Sequence, residues 1–401
     1  MTDTIAPPTR WDGRAYASAQ DILDRAGQLG PLVAAEADEM ERRQQLTEPV
    51  KQALVDAGVF AIGYPAEWGG PQMRVDDQIR LIEQLARFDG SVGWNVTIMA
   101  DSGLYAGRLG RELAAQIYPS MDMPTAGSFN PPGVAEPVDG GYRLSGRWRF
   151  GTGIRNADRV LGRFRRHVDG QPAFDANGDP DLWVAWFPGE AVVRHDTWHT
   201  TGLAGSGSCD YSIDGVVVAA DQMYRYADQF RPSLELPPLS RYYGTLTGNQ
   251  VGVPLGIAAH GLDLVREHLT AARTKWGDSV SADQYVQVKL AEADGLYRAA
   301  RAYALDTFAD ITDALLRDVA LTRQQEANMQ TAPVIACDLC RRSLEIVLDL
   351  VGAQSILRSK PYDRLYRDMS SLARHFYFRS IHLELSGRHL LGEDIPLSLS
   401  D

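Results

Sequence analysis

The residues best suited to chemistry begin with a histidine row. His375, His382 and His389 recur every seven residues in the stretch 363–392, which has no proline and no glycine before Gly387. Such spacing predicts one long helix with the three imidazoles on one face. Neighbours then lie about 10 Å apart along the axis, too far for all three to close on one metal ion. One imidazole, with an ordinary pKa of about 6.5, can still move protons near neutral pH. Asp101 and Ser102 follow the pair Gly93-Trp94. Asp101 reads either as a carboxylate able to hold an ammonium group or as an exposed helix aspartate. Arg163, Arg165 and Arg166 read as a solvated strand face before a phosphate site. Cys337 and Cys340 form a CxxC inside a helical pattern with no second pair, and read as two small apolar residues one turn apart. The glycine-rich run Leu203 to Ser208 leads into a strand, not a helix, so it reads as a tight loop and not a phosphate cradle. The motifs GxxxxGKS/T, HExxH and GxSxG are absent, as is GxGxxG at a strand-to-helix junction.

These residues must be positioned by a chain of 401 residues, long enough for two or three domains. A net charge of −12 argues against a general nucleic-acid binder. Three cysteines make no disulfide framework and suggest a reducing compartment. The N-terminus does not read as a signal peptide, and no apolar run approaches the roughly 18 residues of a membrane span. The expectation is a soluble, cytoplasmic protein that engages neither nucleic acid nor membrane.

Residues 1–14 read as a polar arm. Helical spacing then runs to about Gly110, with Gly58 ending one helix and Ser91 able to cap another. From about Met121 to Tyr226 the chain turns to short alternating runs with hairpin signals at Asp139-Gly140-Gly141 and Asp214-Gly215, which predicts antiparallel strands. Four long helical segments follow, 246–276, 282–317, 321–352 and 363–391, enough for an antiparallel bundle. The last carries an apolar stripe of Leu365, Met369, Leu372, Phe376, Leu383 and Leu390. The expected domains are helical over 1–120, β-barrel over 121–235, and four-helix bundle over 236–401.

Four segments in order resemble the acyl-CoA dehydrogenase superfamily. They are 57–91, with Trp68-Gly69-Gly70 and Phe88-Asp89-Gly90-Ser91; 140–153, from Gly140 to Gly153; 273–277, Arg273-Thr274-Lys275-Trp276-Gly277; and Leu350 to Gln354 with Tyr366-Arg367-Asp368 and Gly387 to Gly392. The resemblance implies an α+β fold of helical domain, antiparallel β-barrel and four-helix bundle. It also implies a flavin, and a homotetramer in which one subunit completes a neighbour's site. By matching position it puts Phe150 and Thr152 beside the flavin ring, Thr152 at its N5 or O4 edge, with Ser128 and Phe129 on a second lining loop. Arg273 matches an arginine reaching flavin phosphate from a neighbouring subunit, a task suited to its planar fork. Gly352, Ala353, Gln354 and Ser355 match a segment that approaches the cofactor across that interface.

One departure changes the expected reaction. The carboxylate that takes a thioester's α-proton falls at Phe376 in one branch of the family and at about Leu246 in another, and neither side chain can accept a proton. The chain is more similar to the two-component flavin monooxygenases of this fold, through Gly141 to Trp148, Leu203 to Ser208 and a histidine at His375. That resemblance implies reduced FMN or FAD supplied by a separate flavin reductase, and molecular oxygen activated as a flavin C4a-hydroperoxide. The oxygen would hydroxylate or N-oxygenate a small metabolite, with His375 and Thr152 catalytic. Trp94, Asp101, Ser102, His375 and Phe376 are the expected substrate contacts. Phenol-hydroxylating members carry another histidine where Ser102 stands, which points away from phenols. An amino-sugar N-oxygenase, an acyl-CoA dehydrogenase with a relocated base and a non-catalytic scaffold are the alternatives.

Overall fold

The computed structural model describes residues 16–273 and 276–393; the arm expected over 1–14 lies outside them. Among the described residues seven α-helices come first: α1 (Ala19–Gly27), α2 (Gly30–Arg43), α3 (Glu48–Ala57), α4 (Val75–Phe88), α5 (Gly90–Met99), α6 (Ser102–Leu109) and α7 (Arg111–Ile117). Their ends follow local chemistry. Ser18 and Asp21 form a capping box at α1, and Gly58 closes α3 at a φ of 83°. The cap of α5 is Asp89 and not the expected Ser91. Its carboxylate accepts from the backbone N–H groups of Ser91 at 2.8 Å and Val92 at 3.1 Å. Asp89 leaves the helical region and so presents its side chain back to the orphan donors, which Ser91, inside the first turn, cannot do.

The middle strands are β1 (Thr125–Val138), β2 (Gly141–Trp148), β3 (Arg159–Val168), β4 (Gln171–Pro172), β5 (Leu182–Pro188), β6 (Val193–Arg194), β7 (Tyr211–Ala219) and β8 (Met223–Arg225). Hydrogen bonding orders them β6-β7-β2-β1-β3-β5-β8, with β4 paired to β3. One pairing departs from the antiparallel expectation: β1 and β3 run parallel, Thr125 opposite Arg159. The signal at Asp139-Gly140-Gly141 marks the β1–β2 turn, whereas Asp214-Gly215 lies inside β7, where the pairing with β2 shifts register, and neither tells of the strand that returns on β1's other edge. The core of this sheet is Trp148, fully buried against Phe164, Phe187 and Tyr211.

The last part holds α8 (Gly244–Thr247), α9 (Gly252–Ala271), α10 (Gln284–Leu316), α11 (Arg323–Val351), α12 (Pro361–Leu372) and α13 (His382–Leu390). The single helix expected over 363–391 is therefore broken. His375 is extended, with φ −65° and ψ 147°, and Phe376–Phe378 form a short 3-10 turn. No proline or glycine causes the break. Instead its rings meet partners in different directions. His375 lies against Trp94, Phe376 and Tyr377 pack on His382, and Phe378 is buried in the helical core. An unbroken helix would have put His375 and His382 on one face, so tertiary packing overrides helix propensity here. The histidine row dissolves with it. A ring nitrogen of His382 meets the Phe376 carbonyl at 3.0 Å, and that of His389 meets Gln324 at 3.1 Å.

One close approach fixes α5 on α4. A Cβ at Gly93 would sit 2.5 Å from Ala86 Cβ and 2.9 Å from Ala86 Cα, and backbone cannot give way as a flexible side chain can. Gly93→Ala should therefore push α5, and Trp94 with it, away from α4. We expect about 1–3 kcal/mol of lost stability, read as a lower urea midpoint at unchanged m-value. A wild-type midpoint would show that the two helices have slack.

Candidate active site

Three segments distant in sequence meet at one indole. Trp94, on α5 and 4% exposed, donates its Nε1–H to Thr152 Oγ1 at 3.2 Å. The same indole stands edge-on to His375, ring centroids 4.6 Å apart. Thr152 Oγ1 is also 2.8 Å from Ser208 Oγ, which is 2.8 Å from Ser206 Oγ. Trp94 can only donate, so Thr152 accepts from it, and the threonine's own proton remains for Ser208 or for a ligand.

The backbone around this cluster is strained. Phe150 and Leu203 hold φ of 58° and 52°, unusual for residues with side chains. Phe150 is the residue two before Thr152, and Leu203 opens the loop that carries Ser206 and Ser208. The Leu203 N–H donates to Asp368 at 2.6 Å, which ties that loop to α12. Burial, with Asp89 next to it, raises the pKa of the Asp368 carboxyl. Phe150 leaves 70% of its surface exposed, beside Trp198.

His375 sits in a dry place. Desolvation pushes its pKa down to about 4, so it is neutral across ordinary pH. Its Nδ1 has no hydrogen-bond partner among the described residues. Beside it the Tyr377 ring lies 5.5 Å away. The Tyr243 side chain lies near those of Tyr377 and Tyr105, and Tyr105 donates to Gln229 at 3.3 Å. Burial pushes the phenols of Tyr105, Tyr243 and Tyr377 well above the usual tyrosine range. The charge of Asp101 adds to the rise of these phenols, and desolvation pushes its own carboxyl up to about 8. The residue is half-buried, so some of its surface stays open while the surrounding protein desolvates the charge. It is not the freely solvated helix aspartate of one sequence reading.

The remaining expected site residues fall in three places. Phe129 is on β1 with its ring 5.3 Å from Tyr226, and an aromatic path runs on through Phe230 to Tyr243. Ser128 pairs with Gly162 of β3. Phe376 is 42% exposed next to His375. Ser102 is buried beside Tyr64 and away from open surface. Trp94 is likewise buried, so it acts on its neighbours and offers little surface to a substrate. Arg273 follows α9, its Nη1 bonded to the carbonyls of Thr270, Ala271 and Ala272, and Gly352 to Ser355 lie in a 3-10 turn after α11. No contact joins either to the Trp94 cluster within one chain among the described residues. Sequence reasoning missed the tyrosines. Tyr377, beside His375, was the available signal, but tyrosine is common enough to carry little weight unplaced. Ser206 and Ser208 were visible only as part of a glycine-rich loop.

A flavin needs a flat apolar surface and polar groups at its rim. Exposed Phe150 with Trp198 supplies the first, and the Thr152 hydroxyl, fed by Ser208, the second. The residues present fit the group. No set of three or more histidine, cysteine, aspartate or glutamate side chains among the described residues could hold a metal ion, and no described helix is long and apolar enough to cross a membrane.

Comparison with known proteins gives the same direction. The family model for the acyl-CoA dehydrogenase N-terminal domain matches residues 29–113, and that for the acyl-CoA dehydrogenase C-terminal domain matches residues 250–380. Indole-3-acetate monooxygenase of Acinetobacter baumannii is 27% identical over 356 residues, covering 88% of this chain and 89% of that protein. The oxygenase component of the FADH(2)-dependent resorcinol hydroxylase of Rhizobium sp. is 25% identical over 383 residues, covering 88% and 90%. The structure of XiaF from Streptomyces sp. in complex with FADH2 and glycerol superposes with a TM-score of 0.85 at 23% identity, covering 94% of this chain and 96% of that one.

The depressed pKa of His375 can be read directly. Side-chain NMR should show its imidazole neutral from pH 8 down to about 5, with protonation only near 4. An inflection near 6.5 would mean that water reaches the ring.

Proposed function

We propose that this chain, which belongs to the acyl-CoA dehydrogenase superfamily, is the oxygenase component of a two-component flavin-dependent monooxygenase. It takes reduced FMN or FAD from a separate reductase and oxygenates a small molecule. The observation that carries this is the Trp94 indole, which touches a flavin-type rim group, Thr152, and a buried neutral imidazole, His375, at once. The position where a thioester dehydrogenase keeps its base is Phe376, which cannot take a proton.

Reduced flavin, when bound, supplies two electrons with which molecular oxygen places one atom in the substrate and leaves the other as water. The chain's own part is positioning and proton handling. Phe150 and Trp198 would back the ring, and Thr152 Oγ1 would donate to its polar edge. The neutral His375 imidazole would accept a proton from a substrate O–H or N–H, which makes the substrate a better nucleophile. Trp94 holds the imidazole in place without offering it a competing hydrogen bond. The buried phenols keep water from the reacting atoms. Arg273 and the turn 352–355, remote from this cluster within one chain, fit a neighbour's cofactor in a homotetramer. The exposed side chains of Trp276, Ile356, Leu390 and Leu391 support burial by such a neighbour.

The test is turnover of a panel of phenols, indoles and arylamines under labelled oxygen, with reduced FMN or FAD regenerated by a flavin reductase. Products should gain one labelled oxygen atom. His375→Ala should keep its fold and its reduced-flavin affinity, yet form product about a hundredfold more slowly. Undiminished turnover would remove the role given to His375. Anaerobic bleaching of bound oxidised flavin by an acyl-CoA would instead favour a dehydrogenase, with Asp101 as its relocated base.

A further inference from the structure

The loop from Trp198 to Ser208 supplies two parts of the site from one short stretch. Trp198 stands edge-on to the exposed Phe150 ring, centroids 6.4 Å apart, and Ser208, with Ser206 behind it, reaches the Thr152 hydroxyl. Leu203 is the hub that relates them. Its carbonyl accepts the Trp198 Nε1–H at 3.3 Å and the Ser206 N–H at 3.0 Å. Its own backbone is left-handed, with φ 52° and ψ 33°, which a leucine rarely adopts. Such a conformation persists only where the surroundings hold it.

The hold comes from two sides. On α12, Asp368 is 3% exposed and accepts the Leu203 N–H on Oδ1 at 2.6 Å. Its neighbour Arg367 donates Nη1 to the Thr201 carbonyl at 2.8 Å, and pairs with Glu41 of α2 at 2.7 Å and Asp363 at 2.8 Å. Between these two bonds the backbones press together: a Cβ at Gly202 would run into the Arg367 carbonyl. The second Asp368 oxygen closes on the start of α5, 3.0 Å from where a Cβ of Gly90 would stand. The carboxyl is thus wedged between the helix that carries Trp94 and the loop that carries Trp198. On the other side, Gln44 at the end of α2 donates Nε2 to the Trp198 carbonyl at 2.6 Å, and its own carbonyl lies 2.6 Å from where a Cβ of Gly207 would stand. Without Asp368 the Leu203 N–H would be buried and unsatisfied, and nothing would offset the strain.

Resting on the monooxygenase reading, we infer that Asp368, with Gln44 across the loop, is a positioning residue for the cofactor: the two set the Trp198 face and the Ser206–Ser208 hydroxyls in one register before flavin arrives. Asp368 acts through the Leu203 amide and takes no part in proton transfer. What the loop requires of it is an acceptor, not a charge. Desolvation, with Asp89 next to it, pushes its carboxyl up to about 8, so it is largely neutral at pH 7 and an amide can stand in for it. Two side chains of similar shape therefore part at this position. Asparagine keeps an oxygen for the Leu203 N–H, and leucine offers none.

The experiment compares Asp368→Asn, Asp368→Leu and Gln44→Asn in the full-length protein. It has two readouts besides turnover: backbone hydrogen exchange over 198–208 without flavin, and equilibrium binding of reduced FMN and FAD without oxygen. Asp368→Leu should exchange faster over 198–208 and bind reduced flavin about tenfold more weakly. Asp368→Asn should return both to within about twofold of wild type. A folded Asp368→Leu protein with wild-type exchange and affinity would overturn the inference. An asparagine variant as weak as the leucine one would do the same, since a lost charge would then explain both. Gln44→Asn keeps the inference open to refutation should Asp368→Leu fail to fold. Asparagine tolerates the φ of 56° at that position, but is too short to reach the Trp198 carbonyl. It should weaken flavin binding severalfold, and undiminished affinity would overturn the inference. A wild-type protein that binds no reduced flavin, with the exchange contrast between the Asp368 variants intact, would overturn the monooxygenase reading alone.

Discussion

Everything in the candidate site leans on one side chain with two engagements. The Trp94 indole gives its single N–H to Thr152 and its edge to His375. It can satisfy both only if α5 keeps its place, and several local features serve that end. Asp89 caps the helix, Gly93 lets it press on Ala86, and Asn95 donates to the carbonyls of Ser91 and Gly205 at 3.0 Å each. The opposite wall is held as firmly. Asp368 on α12 takes the Leu203 N–H, and that bond sets the loop whose Ser206 and Ser208 reach Thr152. The site is thus a junction of the three parts of the chain, and none of them could form it alone.

Electrostatics in this junction follow one rule: groups that could carry charge are kept neutral. Desolvation lowers His375 and raises Asp101 and the phenols around it. A neutral imidazole is a proton acceptor that does not have to lose a proton first. The cost of the arrangement is the desolvation itself, which the fold sustains through burial of the surrounding helices.

The fold was largely legible in the sequence, because periodicity of 3.6 and 2 and the turn residues act locally. The helical regions, the strand region and the long helices near 284–316 and 323–351 all announce themselves that way. What could not be read was set by distant contacts. No local signal breaks the chain at His375; the break exists because Trp94, nearly three hundred residues earlier, takes the imidazole. The parallel pairing of β1 and β3 is likewise a choice made across the sheet. Of the site, Thr152 and His375 could be named through resemblance, whereas Ser102 and Trp94 turned out to face inward. Tyr105, Tyr243 and Tyr377 lie on three separate segments that no local pattern in the sequence links.

The central claim is that this junction holds reduced flavin in a place where oxygen reacts in a controlled way. Rapid mixing of the anaerobic protein–reduced flavin complex with oxygenated buffer, followed by flavin absorbance, tests it most directly. Return to the oxidised spectrum in two resolved phases, the second hastened by a substrate, is the predicted result. A single phase at the rate of free reduced flavin would contradict the account.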